Sequence, residues 1–173
     1  MYLRRSEIFV LLLMCFVFLS SCTFSQREKT LPSSVQSINV PLCRNETSEP
    51  GLSEIATRYF IEEFLADGRL DVTGKNDADA LVEITLTHFN NSVASTTGKD
   101  VFPLTNWIDI RADVTVLTTT SPKTIMKERK GIEVTQTHVS DTRRVNFEPE
   151  TEAKARALRT LAHKIVREVI SGK

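Results

Sequence analysis

The chain has 173 residues, with 22 basic and 22 acidic side chains, three histidines and one tryptophan. Electroneutrality argues against a general nucleic-acid binder, and a length of this order makes one domain with a sizeable core. The charge is unevenly laid out, with 8 basic against 14 acidic residues from Thr23 to Ser121 and 12 against 7 from Pro122 to Lys173. The C-terminal third is therefore the part suited to an anionic partner, although such a bias also describes an ordinary solvated face.

Arg4 and Arg5 form a basic head in front of the apolar run Ile8 to Leu19. At about 1.5 Å per helical residue that run is too short to span a hydrocarbon layer of roughly 30 Å, and it has the layout of a secretory leader. Its end, "FLSSC", can be read weakly as a soluble-secretion site. Leu19, two serines and Cys22 also resemble the bacterial lipobox, in which the cysteine is diacylated and, after cleavage before it, acylated at the new N-terminus. Two or three acyl chains hold a protein on a bilayer for long times, where one chain binds only marginally. On this reading residues 1–21 are removed, and the mature chain keeps 20 basic and 21 acidic residues because Arg4, Arg5 and Glu7 leave with the leader. Thr23 stands where an Asp would suggest retention in an inner membrane, so the resemblance points to the outer membrane, with the protein facing the periplasm. Cys15 leaves with the leader and Cys22 is acylated, which strands Cys43 as a lone thiol of the kind usually buried as a small hydrophobe.

Residues 22–34 are polar and aperiodic and predict a tether of about a dozen residues, reaching up to about 40 Å at roughly 3.3 to 3.6 Å per residue. The domain is expected over 35–173. Val35, Ile38 and Val40 predict a short strand ended by Pro41, and "CRNETSEPG" is turn chemistry. Leu52, Ile55, Ala56, Tyr59, Phe60 and Phe64 recur at helical spacing, and Gly68 closes that helix. Three segments of period two follow: 81–89, 107–117 and the more polar 124–137, which reads as an edge strand. His88 is expected on the apolar face of Val82, Ile84 and Leu86. The interruption between the first two of these strands, residues 90–106, predicts a long loop that is either a hairpin tip or a partner contact. A closing amphipathic helix starts at Pro149 and carries the stripe Ala153, Ala157, Leu158, Leu161, Ala162, Ile165, Val166, Val169 and Ile170. The order strand, helix, three strands, helix predicts an α+β two-layer sandwich, with two helices on one face of a four-stranded mixed sheet and a polar face left open.

The signatures of catalysis and cofactor binding are absent: no phosphate-cradling glycine loop, no paired histidines at metal spacing and no nucleophile elbow. No catalytic residue, metal ligand or cofactor is expected, and each histidine has an ordinary structural reading. Trp107 is either core or an exposed interface anchor.

The run "LPSSVQSINVPLCRNETSEPGLSEIATRYFIEEFLADGRLDV" resembles the opening of the lipopolysaccharide-assembly lipoproteins (LptE), with Asn45, Thr47, Pro50, Gly51 and Leu52 all in place. "NDADALVEITLTHF" and "TEAKARALRTLAHKIVREVI" extend the likeness over most of residues 31–171. Leu42 and Cys43 depart from a common aromatic-acidic pair, Glu83 from a glycine and Met126 from a tryptophan. The resemblance implies a non-enzymatic component that plugs an LptD-like outer-membrane β-barrel, assists its assembly and helps to insert lipopolysaccharide. The expected partners are thus that barrel, lipopolysaccharide and the membrane through the acyl anchor, with no nucleic acid. Lys99 and Phe102 in the long loop, Trp107, and Lys123 in the last turn are the candidate contacts. The alternative is a lipoprotein adaptor of other envelope machinery with a start like the TolB N-terminal domain; an envelope hydrolase fits poorly.

Overall fold

The computed structural model describes residues 31–97, 102–119 and 123–171. The leader, Cys22 and Lys99 lie outside them. The chain forms β1 (Ser37–Asn39), β2 (Arg44–Asn45), α1 (Leu52–Asp67), β3 (Asp71–Val72), β4 (Ala80–Thr97), β5 (Phe102–Thr118), β6 (Ile125–Val139) and α2 (Glu150–Ser171). The α+β class is as expected, but the sheet has six strands rather than four. They run β3-β1-β4-β5-β6, with β2 also beside β4. The first three pairings along β4 and β1 are parallel, and β4-β5-β6 is antiparallel. The two additional strands are two residues each, too short for period two to show. Pro41 lacks an N–H and interrupts the segment that lies along β4, which resumes as β2 after the break.

The motif residues of the first helix are folding devices. The Asn45 side chain accepts from the Thr47 N–H at 3.0 Å and hydroxyl at 2.7 Å, and its amide donates to the Glu49 carbonyl at 2.7 Å. These bonds fold the turn that delivers Gly51, in the left-handed conformation at φ 76°, to the start of α1. At the other end the Gly68 N–H bonds the Phe64 carbonyl at 3.2 Å, and Asp67 and Arg69 make a forked ion pair at 2.6 Å that sets Leu70 into the core.

Both helices pack on one face of the sheet and on each other. Phe60, Phe64, Leu158, Leu161 and Ile165 meet Ile84, Leu86, Ile110, Ala112 and Val134 in one apolar cluster. Leu31 and Val35 are buried in the same cluster. Each such large side chain taken out of water contributes roughly 1.5–3 kcal/mol, which is what holds two helices of modest intrinsic stability in place.

Two expectations are overturned. Residues 90–97 continue β4 and residues 102–106 begin β5, so the expected long loop is strand over all but 98–101, which lie outside the described residues. The segment alternates poorly because it meets only the first residue of α2, where Glu150 bonds Asn91, and runs on past it. Strand β5 has 17 residues and extends about 56 Å at roughly 3.3 Å each, whereas α2 has 22 residues and covers about 33 Å at 1.5 Å each. Second, the β4–β5 register shifts between Leu86 and His88. This bulge places His88 opposite Arg111 on the open face and Phe89 opposite Ile110 on the covered face, the reverse of the expected sides.

Candidate interaction surface

The uncovered face of the sheet is polar. His88 Nε2 lies 3.7 Å from Asp109 Oδ2, Arg111 reaches Asp109 at 3.4 Å and Glu133 at 3.2 Å, and the Thr135 hydroxyl donates to Asp109 at 3.4 Å. The hydrogen bond from Arg111 holds the Glu133 carboxyl below its usual range. The groups satisfy one another in pairs across three strands, which makes the face a lattice of paired charges. Among the described residues no group of three His, Cys, Asp or Glu side chains could hold a metal ion.

The outer edge of the sheet is closed. Lys164 donates to the Glu133 carbonyl at 2.7 Å, Arg156 to the Thr137 carbonyl at 2.9 Å, and Gln136 to the Thr160 hydroxyl at 2.7 Å, so side chains of α2 occupy acceptors that a further strand would use. Arg156 also forks onto Glu148 at 2.9 and 2.6 Å, which keeps that carboxyl below its ordinary range. Gly131, at φ 66°, forms a bulge whose N–H donates to Asp113 Oδ1 at 2.8 Å and further spoils the edge. The opposite edge is made of the two-residue β2 and β3. Strand addition is thereby disfavoured, leaving the open face and the two ends of the sheet as contact surfaces.

The ends differ. At one, the chain enters the domain: the Asp79 carboxylate accepts from the N–H groups of Gln36 at 3.0 Å and Ser37 at 2.9 Å and from the Ser37 hydroxyl at 2.9 Å. These bonds, the backbone one from Gln36 first, hold Asp79 below its usual range. At the other end the sheet overhangs the helices and exposes Val93, Trp107, Val145 and Phe147. Trp107 is 50% exposed, on the open face opposite Ser92 and Thr137. Phe102 starts β5 at this overhanging end, paired with Thr97. Lys123 is at the opposite end, where it lines a cleft with Lys75. The candidate contacts of the sequence therefore do not make one site: Phe102 and Trp107 belong to one end and Lys123 to the other.

A second basic groove lies between β6 and α2, where Arg129, Lys130, Lys164 and Arg167 stand against Glu133 and Glu168. It collects part of the basic excess of the C-terminal third. His138 is buried, its Nδ1 3.3 Å from the Glu148 carbonyl, and His163 pairs with Glu63 at 2.7 Å. No helix among the described residues is long and apolar enough to cross a membrane.

No family model matches the chain, and no curated protein is significantly similar to it. The architecture does recur among solved structures. The PelC dodecamer protein of Paraburkholderia phytofirmans superposes with a TM-score of 0.54 at 13% identity, covering 83% of this chain and 95% of that one. A hypothetical protein of Chlamydia trachomatis gives 0.52 at 10%, over 79% and 94% of the two chains. A Xanthomonas campestris protein described by the DUF330 family model gives 0.52 at 13%, over 82% and 85%. At these identities the shared property is the fold. Looser superpositions reach lipoproteins of Acinetobacter baumannii and Neisseria meningitidis, at TM-scores of 0.46 and 0.44.

Proposed function

We propose that this chain is a lipid-anchored envelope protein of non-enzymatic function, which docks through the overhanging end of its sheet into an LptD-like outer-membrane barrel and supports lipopolysaccharide assembly. The basic head, the apolar run and Cys22 support the anchor, and the LptE-like motifs support the partner. The observation that carries the reading is the overhang itself, an ordered polar arm that exposes Val93 and Trp107 at the end remote from the chain's point of entry. Anchored at a periplasmic leaflet, a body about 56 Å long at roughly 3.3 Å per strand residue exceeds the roughly 30 Å hydrocarbon layer, a length that suits passage through a barrel lumen. The open face, with its mixture of Asp109, Arg111, Asp113 and Glu133, suits a water-lined barrel interior.

The test is a detergent pull-down on the tagged chain, wild type beside Cys22→Ala, with co-eluting proteins identified by mass. A large heat-modifiable barrel with both variants is the expected result, the folded domain rather than the anchor making the contact. A periplasmic enzyme in place of any barrel would move the assignment to the envelope adaptor.

A further inference from the structure

The end at which the chain enters carries a cleft that the barrel reading does not use. It has a volume of about 340 Å³ and is lined by Lys75, Asn76, Leu81, Thr119 and Lys123. Three features give it a chemical character. Neither lysine has a carboxylate partner among the described residues. The floor is Leu81, only 4% exposed yet outside the main core because period two turns it to the open face of the sheet. The rim is held in register: the Thr119 N–H donates to the Asp79 carbonyl at 3.2 Å and its hydroxyl to the Ala78 carbonyl at 2.6 Å, tying the β3–β4 turn of Lys75 to the residue that follows β5. Of the acids in the β3–β4 turn, Asp79 is engaged by Gln36 and Ser37, and Asp77 does not line the cleft.

Two ammonium groups and an amide beside an apolar floor suit a phosphate carried on carbon better than a bare ion, which gains nothing from Leu81. The volume lies near the lower end for small-molecule sites, which accommodates a headgroup and not a lipid body. Position supplies the occupant. Asp79 fastens Gln36 and Ser37 beside this cleft, and nine residues from Cys22 to Leu31 reach at most about 30 Å at 3.3 to 3.6 Å each, so an acylated Cys22 keeps this end within about that distance of the bilayer and within reach of its headgroups. We infer that the cleft of Lys75, Asn76 and Lys123 over Leu81 binds the phosphate of an anionic lipid headgroup and so seats the anchored end on the membrane surface. This rests on the lipid-anchor reading and goes beyond it.

The experiment places the full lipidated protein in nanodiscs of phosphatidylcholine alone or with about a third phosphatidylglycerol, and reads acetylation of each lysine by mass spectrometry. In the anionic discs Lys75 and Lys123 are expected to be labelled at least fivefold more slowly, while Lys130, exposed in the other basic groove, changes less than twofold. Lys75→Arg with Lys123→Arg should keep disc binding at the level of wild type, and Lys75→Gln with Lys123→Gln should lose the preference for anionic discs. Equal labelling of Lys75 and Lys123 in both discs overturns the proposal. Equal protection by inorganic phosphate added to the neutral discs overturns the lipid assignment and makes free phosphate the ligand. Protein eluting apart from the discs signals failure of the anchor reading itself, seen separately from the labelling, and the proposal falls with it.

Discussion

Replacing Trp107 by alanine tests whether the overhanging end is where a partner sits. Trp107 retains half of its surface in the free chain. A tryptophan buries up to about 250 Å² when fully covered, so docking would remove about 125 Å² more from water, worth roughly 3 kcal/mol at 25 cal/mol per Å². That corresponds to about a 100-fold weaker association for Trp107→Ala. The half already covered by the fold is worth up to a similar amount on the same scale, so unfolding is measured beside binding and affinities are compared where both chains are fully folded. As the single tryptophan of the chain, it also reports its own environment. Titrating the lipoprotein with the co-purified barrel in detergent should shift its emission to the blue and shield it from acrylamide. Affinity within threefold of wild type for the variant, with no spectral change in the wild type, would refute the placement of the contact at this end.

Three other outcomes follow from the geometry. Gly131 adopts φ 66° with open space where a Cβ would stand, so Gly131→Ala meets only the left-handed backbone penalty of about 1–2 kcal/mol, partly offset by the stiffer unfolded chain. Urea unfolding should show a net loss of about 1 kcal/mol for alanine and less for Gly131→Asn, since asparagine tolerates this region; an asparagine variant less stable than the alanine one would contradict the bulge. Cys43 is buried and its thiol is pushed up to about 12, chiefly by that burial, so a disulfide reagent at pH 8 should label it only at the rate of unfolding. Asp79 and Glu148 sit below their ordinary range because of hydrogen bonds from Gln36 and Arg156 respectively, so the native state binds fewer protons than the unfolded one. Their stabilisation is present above the ordinary carboxylate values and is lost as pH falls from about 5 through the lower folded values, and Glu148→Gln should flatten that slope in pH-dependent unfolding.

The helices, the three long strands and the covered faces of two of them were legible because burial on one side imposes period two or 3.6 on the sequence. His88 was misplaced because a single bulged residue reverses every side chain after it, and nothing in "LTHFNN" announces the extra residue. The motif "NETSEPGL" was legible as a signature but not as a mechanism. Its Asn45 and Thr47 fold a turn by bonding each other. Lys123 could be picked out as a lone lysine in a turn, whereas its neighbour Lys75 could not, because only the pairing of β4 with β5 brings residues 75 and 123 to the same cleft.

The change from loop to strand over residues 90–106 alters the energetics of any contact made there. Thirteen of those residues lie in β4 and β5, where side-chain bonds such as Asn106 to Asn91 at 3.2 Å and Ser140 to Asn106 at 3.1 Å brace an arm that meets α2 only at its first residue, Glu150. Ordering a flexible loop of that length on binding would cost on the order of 1–2 kcal/mol per residue, more than the roughly 3 kcal/mol available from Trp107 could offset. An arm already fixed by strand pairing carries no such cost, so a modest apolar patch suffices for affinity and the polar remainder can face water or a barrel wall. The same rigidity explains why Asn, Ser and Thr dominate the segment. Asn91, Asn106 and Ser140 bond one another sideways without adding apolar surface at this end.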